Sequence, residues 1–172
     1  SAPSGDAWTK PNFDDSSWPE GKSAWGGGDD NYSNIGTRWE GEGADIWVRR
    51  TVTLSEIDAT ADYYATYKHD DTFELYVNGQ QVLSTGYTWD VSGQSVKVNR
   101  SLLHEGTNVI AAHCKNNAGG AYIDFGLAKD NFPTATQKSC VVMPTSTYYT
   151  FTCGAIDLDV VFTTPLVMDD LQ

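Results

Sequence analysis

The fold is decided by the stretch Thr72-Phe73-Glu74-Leu75-Tyr76-Val77-Asn78-Gly79-Gln80-Gln81-Val82-Leu83. Residues of high β-propensity fill Thr72 to Val77, which predicts a strand. Asn-Gly accepts the positive φ angles of a type I′ turn, so Asn78 and Gly79 predict a tight β-hairpin. The partner strand is predicted over Gln80 to Leu83. This hairpin indicates an antiparallel β protein.

Further strand patterns lie on both sides of the hairpin. In the clearest of them, Ile46 and Val48 alternate with Trp47 and Arg49. The additional strands are predicted over Asp45 to Leu54, Asp62 to Lys68, Val96 to Asn99, Thr107 to Cys114 and Ala121 to Leu127. One helical turn is predicted over residues 102–106, and no segment carries a long 3.6-residue period. Strands at regular spacing between Gly and Asn turns predict an all-β sandwich.

The first 44 residues are rich in Gly, Asp, Ser and Trp and show no helical period. Trp8, Phe13 and Trp18 lie about five residues apart between turn formers, so we predict a segment pinned to a sheet by aromatic anchors. Asp14 and Asp15 are structural candidates, because an Asp side chain can accept hydrogen bonds from the backbone N–H groups that follow it.

The composition changes near Lys129, which indicates a domain boundary. A linker composition follows, and then three more strand patterns over Ser139 to Met143, Tyr148 to Cys153 and Ile156 to Thr163. Three strands alone are marginally stable. We therefore predict a β-sandwich over residues 1–129. Residues 130–172 are predicted to form a linker and a short β-tail, the incomplete start of the next domain.

The cysteines Cys114, Cys140 and Cys153 fit neither a disulfide framework nor a zinc site. Cys140 and Cys153 flank a predicted turn over Pro144 to Thr147. A four-residue loop there would place Cys140 opposite Phe151, so a disulfide between the two would need a register shift of two residues. The alternative is three small buried thiols. The sequence leaves both alternatives open.

Charge and hydropathy exclude two classes of partner. The 172 residues include 23 acidic and 11 basic ones, which gives a net charge of −12. Such a surface repels phosphate backbones, so we expect no nucleic-acid partner. No apolar run approaches the ~18 residues that cross a bilayer, so we expect no membrane span. The chain begins without Met, and we expect it to be a piece of a longer protein.

No catalytic residue is assigned from the sequence. His113 and Cys114 are neighbours on a predicted strand, so their side chains point to opposite faces and cannot form a nucleophile pair. Asp70 and Asp71 could bind a cation or act as acid and base, but the side chains of consecutive residues diverge. We expect that one of them accepts backbone N–H groups from a neighbouring loop and that the other is solvated.

The run Gly26-Gly27-Gly28-Asp29-Asp30-Asn31 predicts a flexible loop. It offers oxygen ligands of the kind that Ca²⁺ takes, but not at the spacing of an EF-hand. It precedes neither a helix nor a Lys-Ser pair, so it is no phosphate cradle. We expect no metal and no cofactor, with a structural calcium ion as the alternative.

Aromatic residues outside the predicted strands are the candidates for ligand contact. Flat aromatic rings stack on the C–H faces of sugars, and neighbouring polar side chains bond the hydroxyls. The candidate ligand-binding residues are Trp25, Tyr32, Trp39 and Trp89, and Tyr87 belongs to the same group. An acidic sandwich with such rings predicts a glycan as partner. In the alternative interpretation the rings are buried and cap the ends of the sandwich.

Five pieces of sequence resemble a known module when taken in order. They are Trp8 with Phe13-Asp14-Asp15-Ser16-Ser17-Trp18, Ile46-Trp47-Val48-Arg49-Arg50, His69-Asp70-Asp71 with Leu75-Tyr76-Val77-Asn78-Gly79, Leu103-x-x-Gly106-x-Asn108-Val109-Ile110-Ala111, and Ala121-Tyr122-Ile123-Asp124-Phe125-Gly126-Leu127. They resemble the galactose-binding-domain-like jelly roll, which occurs as the sugar-binding domain of β-galactosidase-like glycoside hydrolases. The resemblance implies structural roles for the motif residues Asp14, Asp15, Asp70, Asp71, Asn78 and Gly79. It also implies a module that is commonly non-catalytic.

The tail resembles a second family. The residues concerned are Ala135-x-Gln137-Lys138-Ser139, Pro144-Thr145-x-Thr147-x-Tyr149-Thr150-Phe151, Gly154, Leu158, Phe162-Thr163-x-Pro165-Leu166 and Asp169-Asp170-Leu171. They are similar to the N-terminal β-region of the glutaminase A family of fungi and gut-type Bacteroidetes, which a galactose-binding-like module precedes in some bacterial members. The resemblance implies a secreted, periplasmic or cell-surface parent that hydrolyses glutamine to glutamate and ammonia. Its catalytic domain would lie beyond Gln172.

Together these patterns predict a non-catalytic accessory module, binding carbohydrate, of a glutaminase-like amidohydrolase. Its partners would be a glycan and the remainder of the parent chain. Two alternatives are a sandwich that only braces the catalytic domain and the sugar-binding domain of a β-galactosidase-like glycoside hydrolase. A third, in which Asp70 or Asp71 hydrolyses an amide or a glycoside, would make this chain itself an enzyme.

Overall fold

The computed structural model describes residues 2–29 and 32–130, together with the backbone of residues 141–145, 148–153 and 156–161. Contacts between residues divide the chain into two units, Ser1–Asn131 and Phe132–Gln172. The strands, numbered in chain order, are β1 (Trp25–Gly27), β2 (Thr37–Arg38), β3 (Asp45–Leu54), β4 (Asp62–Asp70), β5 (Thr72–Val77), β6 (Gln80–Ser84), β7 (Trp89–Val98), β8 (Gly106–Lys115), β9 (Ala121–Asp130), β10 (Val141–Thr145), β11 (Tyr148–Cys153) and β12 (Ile156–Val161). Two short 3₁₀ helices, Ala7–Thr9 and Arg100–Leu102, are the helical elements of the described residues.

The first unit is an all-β sandwich, as the sequence predicts. One sheet has five strands in the order β2-β1-β9-β4-β7, and the other has four in the order β3-β8-β5-β6. Strand β5 alternates half-buried with fully buried residues, and its buried side chains join the core between the two sheets. Tyr63 and Ile123 from the five-stranded sheet join Phe73 and Ile110 from the four-stranded sheet in one buried cluster. Burial of this shared core is the main stabilising term of the fold.

The β5–β6 hairpin confirms the prediction made from Asn-Gly. Asn78 and Gly79 have φ angles of 49° and 87°, the left-handed region that a type I′ turn requires at both positions. The Asn78 side chain then ties the turn to β8, because its Oδ1 accepts the Val109 N–H at 2.8 Å and its Nδ2 donates to Asn108 Oδ1 at 2.8 Å. The hairpin is thus fixed by its own turn chemistry and by a neighbouring strand.

The N-terminal segment covers the outer face of the four-stranded sheet. Trp8 is buried against Val109 and Ala111, and Phe13 and Trp18 pack against the same cluster. This confirms the predicted aromatic anchors. Arg49 on β3 also holds the segment, because its guanidinium donates to the Asp15 carboxylate and to the Lys10 carbonyl.

Three details of the predicted strands are wrong. The short strands β1 and β2 lie in sequence that predicts a loop, because such short Gly-rich segments carry no periodicity. They form strands because β1 pairs with the distant β9 and β2 pairs with β1. Strand β7 begins at Trp89 rather than at Val96, since this edge strand is mostly exposed and lacks apolar alternation. The helical turn lies at Arg100–Leu102, where the Asn99 side chain accepts the Ser101 N–H at 3.1 Å.

The second unit contains a three-stranded antiparallel sheet in the order β10-β11-β12. Val142 pairs with Phe151, so the predicted register, with Cys140 opposite Phe151, is wrong by two residues. The cause is that pairing continues through Thr145 and Tyr148, which shortens the connection to two residues. Cys140 lies outside the described residues, and both alternatives for Cys140 and Cys153 stay open.

Candidate functional site

The outer face of the five-stranded sheet carries an aligned row of three side chains at one end. Asp70 on β4 pairs with Trp89 on β7 and with Tyr122 on β9. Directly opposed residues of antiparallel strands point to the same face with their Cβ atoms about 5 Å apart. Trp89, Asp70 and Tyr122 are therefore side by side on the face of the sheet that points away from the core.

The exposed apolar surface of the sandwich is concentrated beside this row. Among residues 2–29 and 32–130, the large apolar side chains that are exposed are Tyr87, Trp89 and Val91, at 64%, 63% and 36%. Tyr87 lies in the bend before β7, and Trp89 and Val91 lie within the first three residues of that strand. We call these three residues the aromatic strip. Exposed apolar patches with this local concentration are typical of binding surfaces.

Asp90 fixes the backbone of the aromatic strip. Its Oδ1 accepts the Ser92 N–H at 2.9 Å and the Ser92 hydroxyl at 2.6 Å, and its Oδ2 accepts Gln94 Nε2 at 2.7 Å. These hydrogen bonds, chiefly those from Ser92, lower the pKa of Asp90 below its ordinary value. Asp90, which stays ionised at neutral pH, thus fixes the chain around Val91.

Asp70 lies beneath the loop that connects β1 and β2. Asp70 is 6% exposed, and the Tyr32 hydroxyl donates a hydrogen bond to Asp70 Oδ2. Burial raises the pKa of Asp70 to about 6, opposed by the Tyr32 hydrogen bond and reinforced by the carboxylates of Asp71 and Asp29. Tyr32 itself packs on Tyr122 with ring centroids 5.2 Å apart. The expectation that this Asp would be solvated is wrong when applied to Asp70, because Tyr32 covers it.

Asp71 plays the role that the sequence predicts for one member of the pair. Its Oδ2 accepts the backbone N–H groups of Asn117 at 2.7 Å and of Ala118 at 3.1 Å, so it holds the loop between β8 and β9. One oxygen of each Asp is therefore occupied within the protein.

The four aromatic candidates from the sequence have different positions. Trp25 is 9% exposed, and its ring stacks on Phe125 with centroids 6.1 Å apart. Trp39 packs against the same core. The role of these two as ligand platforms is therefore corrected to a role in the core, because pairing of β1 with β9 draws Trp25 inside. Tyr32 joins the Asp70 row through its hydroxyl, and Trp89 lies on the surface.

A polar groove runs along the same outer face beyond the Asp70 row. Its lining comes from β4, β7 and β9, and from one side chain of β3, and comprises Arg50, Thr66, Tyr67, Lys68, Gly93, Gln94, Ser95, Asp124, Phe125 and Gly126. We call it the sheet groove. Arg50 reaches it by donating from Nη1 to the Phe125 carbonyl at 2.9 Å. The sheet groove was not predicted, because its lining residues alternate with core residues on three strands and form no linear motif.

The other motif residues are structural. Asp14 accepts the Ser16 N–H at 3.0 Å as predicted, and hydrogen bonding by Ser16 lowers its pKa. Asp15 instead accepts Arg49 Nε at 2.6 Å, so the expected backbone turn is wrong for this residue. The Arg49 side chain is 5% exposed and also donates to the backbone carbonyl of Lys10 at 3.0 Å. Arg49 was missed by sequence reasoning and holds the N-terminal segment on the sheet.

His113 and Cys114 point to opposite sides of β8, as predicted. Cys114 is fully buried in the core, and burial raises the pKa of its thiol to about 12. The His113 ring stacks on Trp47, and its Nε2 donates a hydrogen bond to Asp45 Oδ1, 2.8 Å away. The two side chains form no catalytic pair.

Within the described part of the chain, no group of three His, Cys, Asp or Glu residues is placed to hold a metal ion. Asp30 and Asn31 of the predicted calcium-type loop lie outside that part. Among the described residues, no helix has the length and apolar character to cross a membrane.

Comparison with known proteins gives matches among solved structures. No protein-family model and no curated protein matches the chain. A glycosyl hydrolase family 2 member from Bacteroides cellulosilyticus matches with 14% identity and a TM-score of 0.43 over 64% of this chain. A β-glucuronidase from Faecalibacterium prausnitzii matches with 13% identity and a TM-score of 0.41 over 67% of this chain. A β-D-mannosidase from Dictyoglomus thermophilum matches with 10% identity and a TM-score of 0.40 over 70% of this chain.

These matches cover a minor part of the matched proteins. The aligned region spans 16%, 27% and 23% of the three chains, respectively. All three are glycoside hydrolases, but at TM-scores below 0.5 the likeness carries no conclusion about function. The residues that carry the glutaminase resemblance lie largely outside the described part of the chain, and that resemblance stays a prediction.

Proposed function

We propose that the sandwich is a non-catalytic accessory module that binds carbohydrate through the aromatic strip. The observation that carries the proposal is the exposure of Trp89 and Tyr87, which lie two residues apart in the chain. Exposed large rings are costly in water unless a ligand covers them, and the flat faces of Trp and Tyr fit the C–H faces of sugar rings.

Polar groups next to the strip supply the second requirement of a sugar site. Gln94 and Ser95 lie further along β7, and Thr66 faces Ser95 across the β4–β7 ladder. Hydroxyl and amide groups of this kind both donate and accept hydrogen bonds, as a sugar hydroxyl requires of its partners. Stacking on the strip and hydrogen bonds in the sheet groove would together orient a saccharide.

For the parent protein we propose a carbohydrate-active hydrolase located outside the cytoplasm. The motifs that resemble a galactose-binding-like module all fall on described strands and turns of the sandwich. The glutaminase-like parent that the tail resemblance implies is the second candidate, with the same accessory role for this unit. Both parents are secreted, periplasmic or surface-located, because polysaccharides are found there.

The proposal is tested by affinity electrophoresis of the chain on a panel of polysaccharides. Wild type is expected to be retarded by at least one of them, and Trp89→Ala to migrate as in a gel without polysaccharide. Trp89→Phe keeps a flat ring and is expected to keep part of the retardation. Trp39→Ala serves as the structural control, because its ring packs on the core and its loss should lower Tm.

A sandwich that only braces a catalytic domain is the competing function. The positions of Trp25 and Trp39 in the core favour it for those two rings. It predicts no retardation of wild type by any polysaccharide, with no change in tryptophan fluorescence on addition of saccharide. That pair of results would overturn carbohydrate binding.

A further inference from the structure

We infer that the sheet groove binds the carboxylate of an acidic saccharide, such as a uronate unit, through Arg50 and Lys68. This inference rests on the proposed function, because it names the class of saccharide that would bind next to the aromatic strip. It concerns a different set of side chains from the strip, so the two claims can fail separately.

The sheet groove is continuous with the aromatic strip. Both lie on the outer face of the five-stranded sheet, and β7 contributes Trp89 and Val91 to the strip and Gly93, Gln94 and Ser95 to the groove. A strand rises about 3.3 Å per residue, so Trp89 and Gln94 are no more than about 17 Å apart. An oligosaccharide can therefore reach from one to the other.

The groove gathers cationic groups in a chain of strongly negative charge. Only 11 of 172 residues are Lys or Arg, and the net charge is −12. Within residues 2–29 and 32–130, the lysines and arginines that form ion pairs are Lys10, Arg38, Arg49, Lys97 and Lys129. Arg50 and Lys68 form no ion pair among those residues, and both line the groove. Asp124 is the one carboxylate in the groove lining, so Arg50 and Lys68 leave the groove with a net positive charge, which favours an anionic ligand group.

Arg50 is held in place for this task. Its Nη1 donates to the Phe125 carbonyl at 2.9 Å. Strand β1 does not use that carbonyl, because β1 pairs with β9 only over Ala121 to Ile123. The remaining N–H groups of a guanidinium fixed in this way can meet a carboxylate in the two-point geometry that Arg and carboxylate share.

The groove is also suited to a sugar rather than to a bare anion. Asp124 lies opposite Lys68 in the β4–β9 register and forms no ion pair within the described ranges, so its carboxylate is available to accept hydroxyl groups. Gly126 leaves the floor open. A Cβ there would lie 3.4 Å from Thr66 Oγ1 and 3.8 Å from Arg50 Nη1, which would narrow the space between them.

The experiment compares acidic polysaccharides with their uncharged methyl esters. Polygalacturonate, alginate and hyaluronan are each paired with the methyl-esterified polymer, and binding is measured by affinity electrophoresis at low and high salt. The chains are wild type, Lys68→Met, Lys68→Arg and the control Lys97→Met, which removes a lysine of the same sheet face outside the groove. An unfolding curve for each variant confirms that it is folded.

Wild type is expected to bind at least one acidic polymer about tenfold more tightly than its ester, the effect of one charge-assisted hydrogen bond. Lys68→Met should abolish the preference for the acidic polymer and keep the binding of the ester. Lys68→Arg and Lys97→Met should keep the preference.

Three results would overturn the inference. They are equal binding of acid and ester by wild type, a preference that persists in Lys68→Met, and a loss in Lys68→Met that is equal for both forms. In each of these cases Trp89-dependent retardation can still stand, so the proposed function survives. If wild type binds no polysaccharide, the proposed function fails and this inference fails with it.

Discussion

Replacement of Asp70 by Asn tests the consequence of burying this carboxyl group beneath Tyr32. In the folded protein its pKa is raised to about 6, chiefly by burial, compared with an ordinary value of 3.8. A carboxyl whose folded pKa is raised contributes stability that is fully present below about pH 3.8 and is lost as the pH rises through about 6. The difference between the two pKa values corresponds to about 3 kcal/mol of folding free energy.

An amide reproduces the protonated acid at this position. The Asn oxygen can accept from the Tyr32 hydroxyl, and the Asn NH₂ can donate to the neighbouring Asp71. We therefore expect the Asp70→Asn variant to match wild type near pH 4 and to exceed it by about 3 kcal/mol at pH 8. For a chain of this size that difference corresponds to a Tm higher by about 6–12 °C at pH 8.

The assay is urea unfolding followed by tryptophan fluorescence at pH values from 4 to 8, with wild type and variant measured in parallel. Asp62→Asn is the matched control, because Asp62 is on the same strand and pairs on the surface with Lys97 at 2.7 Å. Asp62→Asn should change the stability at pH 8 by much less than Asp70→Asn does, because a surface ion pair contributes at most about 1 kcal/mol. A stability difference between Asp70→Asn and wild type that is the same at pH 4 and pH 8 would refute the reasoning.

Two further changes test the structural residues. Asn108 is fully buried and bonds both the N–H and the C=O of His104, so Asn108→Ala should cost about 3 kcal/mol in urea unfolding, and a loss below about 1 kcal/mol would contradict its role. Arg49→Met should release the N-terminal segment, seen as cleavage within residues 2–24 about tenfold faster in limited proteolysis at unchanged cleavage elsewhere. Cleavage at the wild-type rate would show that the aromatic anchors suffice alone.

Sequence reasoning succeeded where the chemistry is local. The Asn78-Gly79 turn needs positive φ at two adjacent residues, and those two residue types supply it without help from the rest of the chain. The long strands β3 and β8 carry their own apolar pattern. The all-β class followed from these features.

Long-range pairing explains what the sequence did not predict. Trp25 and Trp89 are both flanked by turn formers, yet β1 pairs with β9 and takes Trp25 into the core, whereas β7 is an edge strand that leaves Trp89 in solvent. One of Asp70 and Asp71 was expected in water, and the burial of Asp70 was missed because its cover, Tyr32, is 38 residues away in the chain. The sheet groove is likewise assembled across strands that are distant in sequence.

The central claim is that the exposed ring of Trp89 is the main contact to a glycan. It is tested most directly by the Kd of one retained oligosaccharide for wild type and for Trp89→Ala, with equal unfolding curves for both proteins. Truncation of a central Trp contact typically costs at least about 2 kcal/mol, so we predict a Kd that is weaker by roughly 30-fold or more. An unchanged Kd at unchanged stability would contradict the account.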